Sequence, residues 1–203
     1  MAHLRPLRNP IENQMTPRAY SHPHQLAAST PAPAFHLRDS TPADRPWISA
    51  TIAREFASTT ISSARRLIDT TTLPAILAIE GDQPVGLATY RIDADELELV
   101  TLVACRRAGG IGTALLNAVI ALARANKLRR LFLTMSNDNV PAFGFYQQRG
   151  LRLCKLHLGA LTDARAHIPE LPRLGHHNIE MRDDLEFEIL LRAAPALDSF
   201  AIS

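Results

Sequence analysis

Between residues 104 and 115 the hydrophobic pattern of this sequence changes from strand-like to helix-like across three glycines, Gly109, Gly110 and Gly112. Leu97 to Ala104 is rich in Leu and Val and reads as a buried strand. Leu115, Leu116, Val119, Ile120 and Leu122 then follow at helical spacing, up to about Lys127. A strand, a tight turn and an amphipathic helix, in that order, place a helix N-terminus beside residues that admit close backbone approach. The free N–H groups of such a terminus carry partial positive charge, and Arg106 and Arg107 add full charge beside them. The segment Arg107-Ala108-Gly109-Gly110-Ile111-Gly112-Thr113 therefore reads as an anion site whose natural ligand is a pyrophosphate.

The flanking sequence supplies a sheet for this turn to stand on. Upstream, Phe35 to Arg38 reads as a short strand, and Ser40-Thr41-Pro42 as a helix start. One or two helices are expected over 42–69, with Trp47, Ile48, Ile52 and Phe56 near helical spacing and Trp47 in the core. Pro74 to Glu80 and Val85 to Ile92 are strands joined by a turn at Gly81-Asp82, and Asp93 to Asp95 form the turn into Leu97. Downstream, Leu131 to Met135 is a buried strand. Asn139-Val140-Pro141 opens a helix that Gly150 closes, and Leu151 to Leu158 is a further strand. A short helix and a loop with Pro169, Pro172 and Gly175 fill 160–182, and Leu185 to Leu191 is the last strand. The order implies a mixed α/β (α+β) domain over 35–192, built on one sheet of about seven strands. Residues 1–34, rich in Pro, Ala, Ser and His, read as a weakly ordered tail, or as the product of a start codon placed upstream of Met15. Residues 193–203 read as a frayed C-terminal tail.

Composition removes several function classes. Lys and Arg number 22 against 20 Asp and Glu, a net charge of +2. That is too small and too scattered for a nucleic-acid partner, which needs a dense cluster of cations. Two cysteines, Cys105 and Cys154, make no disulfide framework and point to a reducing compartment, and Cys105 reads as a small packing residue. No apolar run reaches the length of a membrane span or a signal peptide, so a cytoplasmic protein is expected. His176 and His177 have no metal-ligand spacing to other residues, and no metal is expected.

Three cofactor classes use a glycine turn of this kind. A phosphate-binding Walker loop ends in Gly-Lys-Ser/Thr, whereas Gly112-Thr113 lacks the lysine. A dinucleotide fingerprint wants Gly or Ala where Leu115 stands and an acid about 20 residues on, where this chain has Lys127, Arg129 and Arg130. An NADP-dependent oxidoreductase thus stays a remote alternative. The third pattern, Arg or Gln followed by spaced glycines, is met by Arg107, Gly110 and Gly112, and here the chain resembles the GCN5-related N-acetyltransferase (GNAT) family. A second stretch strengthens the resemblance: Asn139, Ala142, the pair Phe145-Tyr146, and Gly150-Leu151, where the family usually has Phe in place of Leu. One helix and one strand separate the two stretches, as in the family.

The resemblance implies a mostly antiparallel sheet splayed between its fourth and fifth strands, with acetyl-CoA as cosubstrate and a primary amine as acceptor. The turn from Arg107 to Thr113 (Ala108, Gly109, Gly110, Ile111 and Gly112 between them) would bind the pyrophosphate. Backbone amides of Leu102, Val103 and Ala104 would bind the pantetheine arm and polarise the thioester. Asn139 and Phe145 would support the cofactor, and Tyr146 would protonate or hydrogen-bond the leaving sulfur. Glu98 or Glu96, two residues apart on one strand face, would take the amine proton. Asp93, Asp95, Glu96 and Glu98 together suggest an acidic approach suited to a cationic amine. A small-molecule amine is the first expectation and a protein or peptide amine the second. A non-catalytic acyl-CoA-sensing module is the alternative of a different class, and a homodimer is compatible with the family.

Overall fold

The computed structural model describes residues 34–106 and 109–191. Nearly all of the expected N-terminal tail, the whole C-terminal tail, and Arg107 and Ala108 of the turn lie outside the described residues. In chain order the elements are β1 (His36–Asp39), a 3₁₀ turn (Pro42–Asp44), α1 (Arg45–Phe56), β2 (Thr60–Ser63), β3 (Arg66–Asp69) and a second 3₁₀ turn (Thr70–Thr72). There follow β4 (Ala75–Glu80), β5 (Gln83–Asp93), β6 (Glu96–Ala104), α2 (Ile111–Ala125), β7 (Arg130–Ser136) and α3 (Val140–Gln147). The chain continues through β8 (Arg152–His157), α4 (Ala160–Ala164), a 3₁₀ turn (His176–Asn178) and β9 (Asp184–Leu190). Seven strands form one sheet in the order β1-β4-β5-β6-β7-β9-β8, and only the β6–β7 pair is parallel.

One expectation needs correction. Residues 42–69 hold a single full helix, α1, followed by a hairpin of β2 and β3, not a second helix. Helix α1 ends where Ala57 turns left-handed (φ 64°). The hairpin turns on Ala64 and Arg65, both at positive φ (49° and 65°). A two-residue turn of that shape normally announces itself with Asn and Gly. Ala and Arg give no such signal, so Ile61 and Leu67 pass for parts of a helical pattern. The Arg65 guanidinium, bonded to Asp163 and the Leu158 carbonyl, ties this strained turn to α4.

Apolar residues cover both faces of the sheet. One cluster packs α2 and α3 against Ile76, Ala78, Ala88, Leu97, Leu99, Leu131, Leu133 and Phe187. The other packs Ile48 and Ile52 of α1, with Trp47, against Ala75, Leu77, Leu87 and Val103. Strand β6 contributes to both faces through a bulge. Tyr90 pairs with Leu99 and Thr89 with Thr101, so Val100 is an extra residue. Leu97 and Leu99 before the bulge and Leu102 after it therefore all pack on the α2 side. A one-residue shift of this kind reverses the face on which odd and even positions fall.

The same strand then parts from its neighbour. β6 and β7 pair only over Glu96–Glu98 with Arg130–Phe132. Beyond that point β6 remains bonded to β5, and β7 to β9, while the two facing edges diverge. The splay falls between the strands for which the resemblance implies it. Gly86 on β5 lets α2 sit close above this region. A Cβ there would stand 2.6 Å from Ile111 Cγ2 and 2.8 Å from the Val103 carbonyl, closer than packed atoms allow.

Candidate active site

The glycine turn forms the floor of a cleft of about 550 Å³. Gly109 (φ 94°) and Gly110 (φ 75°) both occupy the left-handed region, where a Cβ is strained. With Gly110 as the residue before α2, the first bond of the helix runs from Ala114 N–H to the Gly110 carbonyl. The N–H groups of Ile111, Gly112 and Thr113 thus have no partner within the helix. Gly110, Ile111, Gly112, Thr113, Leu102, Ala104, Asn139, Phe145 and Tyr146 line this cleft, so the structure brings most of the sequence-predicted cofactor residues together. Val103 differs, since its side chain is buried in the α1-side core and only its backbone belongs to the β6 edge. Cys105, expected to pack, is exposed just past the end of β6, although its N–H still bonds the Val85 carbonyl of β5 (2.9 Å).

Arg149 is a member of the cleft that the sequence reading missed. Its guanidinium donates to the Thr113 hydroxyl from Nε (3.0 Å) and Nη2 (2.7 Å), and to the Phe145 carbonyl (2.8 Å). It also lies 3.7 Å from the Phe145 ring centroid, a cation–π stack. Its place two residues past the end of α3 was the available signal, since a cation there can bond the last carbonyls of the helix. Arg106 lines the cleft as well, with part of its charge matched by Glu80 (2.7 Å). Two cations and a helix N-terminus give the cleft an anion-accepting floor.

Helix α3 forms because Asn139 caps it and Pro141 stands in its first turn. The Asn139 side chain accepts from Ala142 N–H at 3.3 Å. The cap brings Tyr146 to the join between this cleft and a second, smaller cavity, and the tyrosine lines both. Its ring packs against Phe145 and Phe187. Burial drives its phenol pKa well above the ordinary value. The preceding residues hold the 160–182 segment in place. Asn137 accepts from Arg182 and Asp183 N–H, and the buried Asp138 carboxylate accepts from His176 N–H (2.8 Å) and pairs with its ring (3.0 Å). Burial acts to raise the Asp138 pKa, but the bonds from Ser136 and His176 outweigh it and the net shift is downward. Gly175 is required here, because a Cβ would overlap the Asp138 carboxylate.

The second cavity, about 180 Å³, opens in the splay itself. Leu99 to Leu102 of β6 and Leu133 to Ser136 of β7 form its two sides. Phe56, Thr60, Ile61 and Ser62 close it from one direction, and Leu161, Ile168 and Leu171 from another. Segments 42–69 and 160–182 both contribute to the wall of this cavity, the first through the end of α1 and the β2–β3 hairpin. Asp184, unremarked in the sequence, lines this cavity at 2% exposure.

Glu96 and Glu98 share a strand face, as period two requires, but line a different cleft beside the β5–β6 turn, together with Asp93, Asp95, Arg66 and Arg91. The buried Glu98 carboxylate pairs with Arg66 (2.9 Å) and Arg91 (2.6 Å) and accepts from the Ser63 hydroxyl. Glu96 pairs with Arg129 and, at 3.5 Å, with Arg130, and Asp95 pairs with Arg129 (3.0 Å). Three of these four acids, Asp95, Glu96 and Glu98, pair with arginines, and none of the four lines the splay cavity. Among the described residues no helix is long and apolar enough to cross a membrane.

Comparison with known proteins gives a consistent result. The profile of the acetyltransferase (GNAT) family matches residues 37–151. YxbD, an uncharacterised protein of Bacillus subtilis (strain 168), is 39% identical over 106 residues, which make up 52% of this chain and 67% of that protein. A GNAT family acetyltransferase from Elizabethkingia anophelis, crystallised with acetyl-CoA bound, aligns with a TM-score of 0.58 at 16% identity, covering 77% of this chain and 98% of its own. The ribosomal-protein-S18-alanine N-acetyltransferase from Escherichia coli aligns with a TM-score of 0.58 at 13% identity, over 80% and 97% of the two chains. At these identities the structural likeness is one of fold.

Proposed function

Since the chain belongs to the acetyltransferase (GNAT) family, we propose that it is an N-acetyltransferase that moves an acetyl group from acetyl-CoA directly to a primary amine of a small molecule. The observation that carries this reading is the parting of β6 and β7 beyond Glu98 and Phe132. It opens a cavity lined by two strand edges, with Tyr146 at its join to the cationic cleft.

The residues present fit acetyl-CoA. The N–H groups at the start of α2, with Gly109, Gly110, Arg106 and Arg149, make a donor set for a pyrophosphate. Arg107 and Ala108 join them on the sequence alone. The free edge of β6 at Leu102 to Ala104 offers backbone donors to an extended amide-bearing arm and to a carbonyl on which negative charge develops. Asn139 and Phe145 are assigned to the support of that arm. Bound acetyl-CoA supplies an activated acetyl group on a thiol leaving group of ordinary pKa near 8.5.

Tyr146 keeps its proton at any working pH, because burial raises its pKa. It therefore acts as a hydrogen-bond donor to the departing sulfur, not as a group that ionises. Tyr146→Phe should lower kcat roughly tenfold, the worth of about one such bond, and unchanged turnover would remove the role. Glu96 and Glu98, paired with arginines, lie where β6 and β7 are still bonded and line the cleft beside the β5–β6 turn.

A small acceptor is supported by the size of the splay cavity, whose volume of about 180 Å³ is nearer to that of a benzene-sized void than to that of a drug-sized pocket. The test is CoA release, followed with a thiol reagent, over a panel of small amines and lysine-containing peptides. Release with small amines supports the proposal. Preference for peptides would move the acceptor to the protein class, and acetyl-CoA binding without release on any amine would indicate a sensing module.

A further inference from the structure

The acceptor cavity is lined by apolar side chains, hydroxyls and the Asn139 amide, with one carboxylate in its wall. Phe56, Ile61, Leu99, Leu161, Ile168 and Leu171 supply its apolar surface. Asp184, the first residue of β9, stands beside Ser136 of β7 in register and lines this cavity but not the cofactor cleft. Resting on the N-acetyltransferase reading, we propose that Asp184 receives the proton of the acceptor amine, and that the acceptor is a primary amine on a compact apolar body, not a polycation.

The geometry isolates this carboxylate for the task. Its one hydrogen bond among the described residues comes from Ala64 N–H in the hairpin turn, at 3.2 Å, so oxygen lone pairs remain for an amine or a water. The charged and titratable groups around it are otherwise engaged. Asp183, its neighbour, accepts from Gly159 N–H (2.7 Å). Glu98, on β6, is matched by Arg66 and Arg91. His157, opposite on β8, pairs with Glu186 (2.7 Å), which also holds Arg130. Arg65 is bonded to Asp163, and Tyr146 faces the same cavity from α3. Burial first, opposed by the Ala64 N–H and reinforced by the charges of Asp183 and Glu98, pushes the Asp184 carboxyl up to about 7. Two nearby carboxylates in such different settings are the arrangement expected when one is structural and the other exchanges protons.

The proton balance is complete. A primary amine with a pKa near 10 arrives as ammonium and sheds one proton to Asp184 before attack, which Asp184 returns to solvent. The N–C bond forms as the C–S bond breaks. The second nitrogen proton ends on the departing sulfur, which Tyr146 holds. An apolar body fills the surface offered by Phe56, Ile61, Leu161, Ile168 and Leu171. A second cation on the acceptor would be buried without a partner, which is costly.

The experiment measures acetyl-CoA-dependent CoA release by the full chain, between pH 6 and 9. Hexylamine, benzylamine and 2-phenylethylamine are set against spermidine and kanamycin, for wild type, Asp184→Asn and Asp184→Glu. Acetyl-CoA affinity is measured in parallel by calorimetry. The inference expects the three apolar amines to be preferred and kcat/KM to rise through a limb near pH 7. Asp184→Asn should lose that limb and fall about 100-fold or more with acetyl-CoA affinity within about twofold of wild type, and Asp184→Glu should restore part of the rate. Preference for spermidine or kanamycin, turnover of none of the apolar amines, or an unaltered limb in Asp184→Asn would overturn it while leaving acetyl-CoA binding intact. Wild-type protein that binds no acetyl-CoA would instead overturn the N-acetyltransferase reading on which it rests.

Discussion

Replacing Asp184 by Asn should stabilise the protein at alkaline pH and leave it little changed at acid pH. Asp184 is 2% exposed, and burial pushes its carboxyl up to about 7 in the fold, against an ordinary value of 3.8. Between about pH 4 and pH 7 the folded chain therefore holds a proton that the unfolded chain has released. Stability falls as pH rises through that window, by about 1.4 kcal/mol per unit, and levels off above it. A displacement of about three units corresponds to roughly 4 kcal/mol at pH 8. Asn has the same shape, keeps an oxygen for Ala64 N–H, and has no proton to lose. The melting temperatures of wild type and Asp184→Asn should thus coincide near pH 3 and separate toward pH 8.5. For a chain of this size the gap should approach 8–16 °C at about 2–4 °C per kcal/mol. Differential scanning calorimetry of both proteins across that range tests it, because titrations common to the two cancel in the difference. Parallel curves, or a mutant that is less stable at high pH, would refute the placement of a raised, buried carboxyl in the splay cavity.

Other changes probe the scaffold beneath the two cavities. Gly86→Ala brings a Cβ to 2.6 Å from Ile111 and 2.8 Å from the Val103 carbonyl. It should cost about 1–3 kcal/mol in urea denaturation, and it should weaken acetyl-CoA binding by displacing the start of α2. Gly175→Ala should expel the Asp138 carboxylate from its bonds to His176, and hydrogen exchange should show loss of protection at Ile179, whose N–H bonds the His176 carbonyl. Arg149→Ala removes charge-assisted bonds to Thr113 and Phe145. It should weaken acetyl-CoA about 10- to 100-fold by calorimetry, and unaltered affinity would take Arg149 out of the cofactor site.

The parts of this molecule that were legible in its sequence are those governed by local chemistry. The change of period at Gly109 to Gly112 locates the β6–α2 junction, since the glycines are needed for positive φ and the helix declares its apolar stripe. Asn139, Pro141 and Gly150 likewise mark α3 by cap, first turn and exit. What escaped depends on contacts distant in the chain or on backbone conformations that the residues do not advertise. Ala57 ends α1 and Ala64-Arg65 turn the hairpin at positive φ without Gly or Asn. The Val100 bulge changes which residues share the face of Glu98, and period two cannot reveal it. Asp184 is one acid in the run Asp183-Asp184-Leu185-Glu186. Its environment is made by a hairpin 120 residues upstream in sequence and by the splay beside β7. The arginines that occupy Glu96 and Glu98 come from β3, β5 and the α2–β7 connection, so their pairing could not be read from β6 alone.

The experiment that bears hardest on the proposed function is calorimetric titration of the full chain with acetyl-CoA, run beside an identical titration with NADPH. The reading predicts saturable binding of acetyl-CoA at one site per chain, competition by free CoA, and no heat with NADPH. Binding of NADPH alone, or of neither ligand, would contradict it.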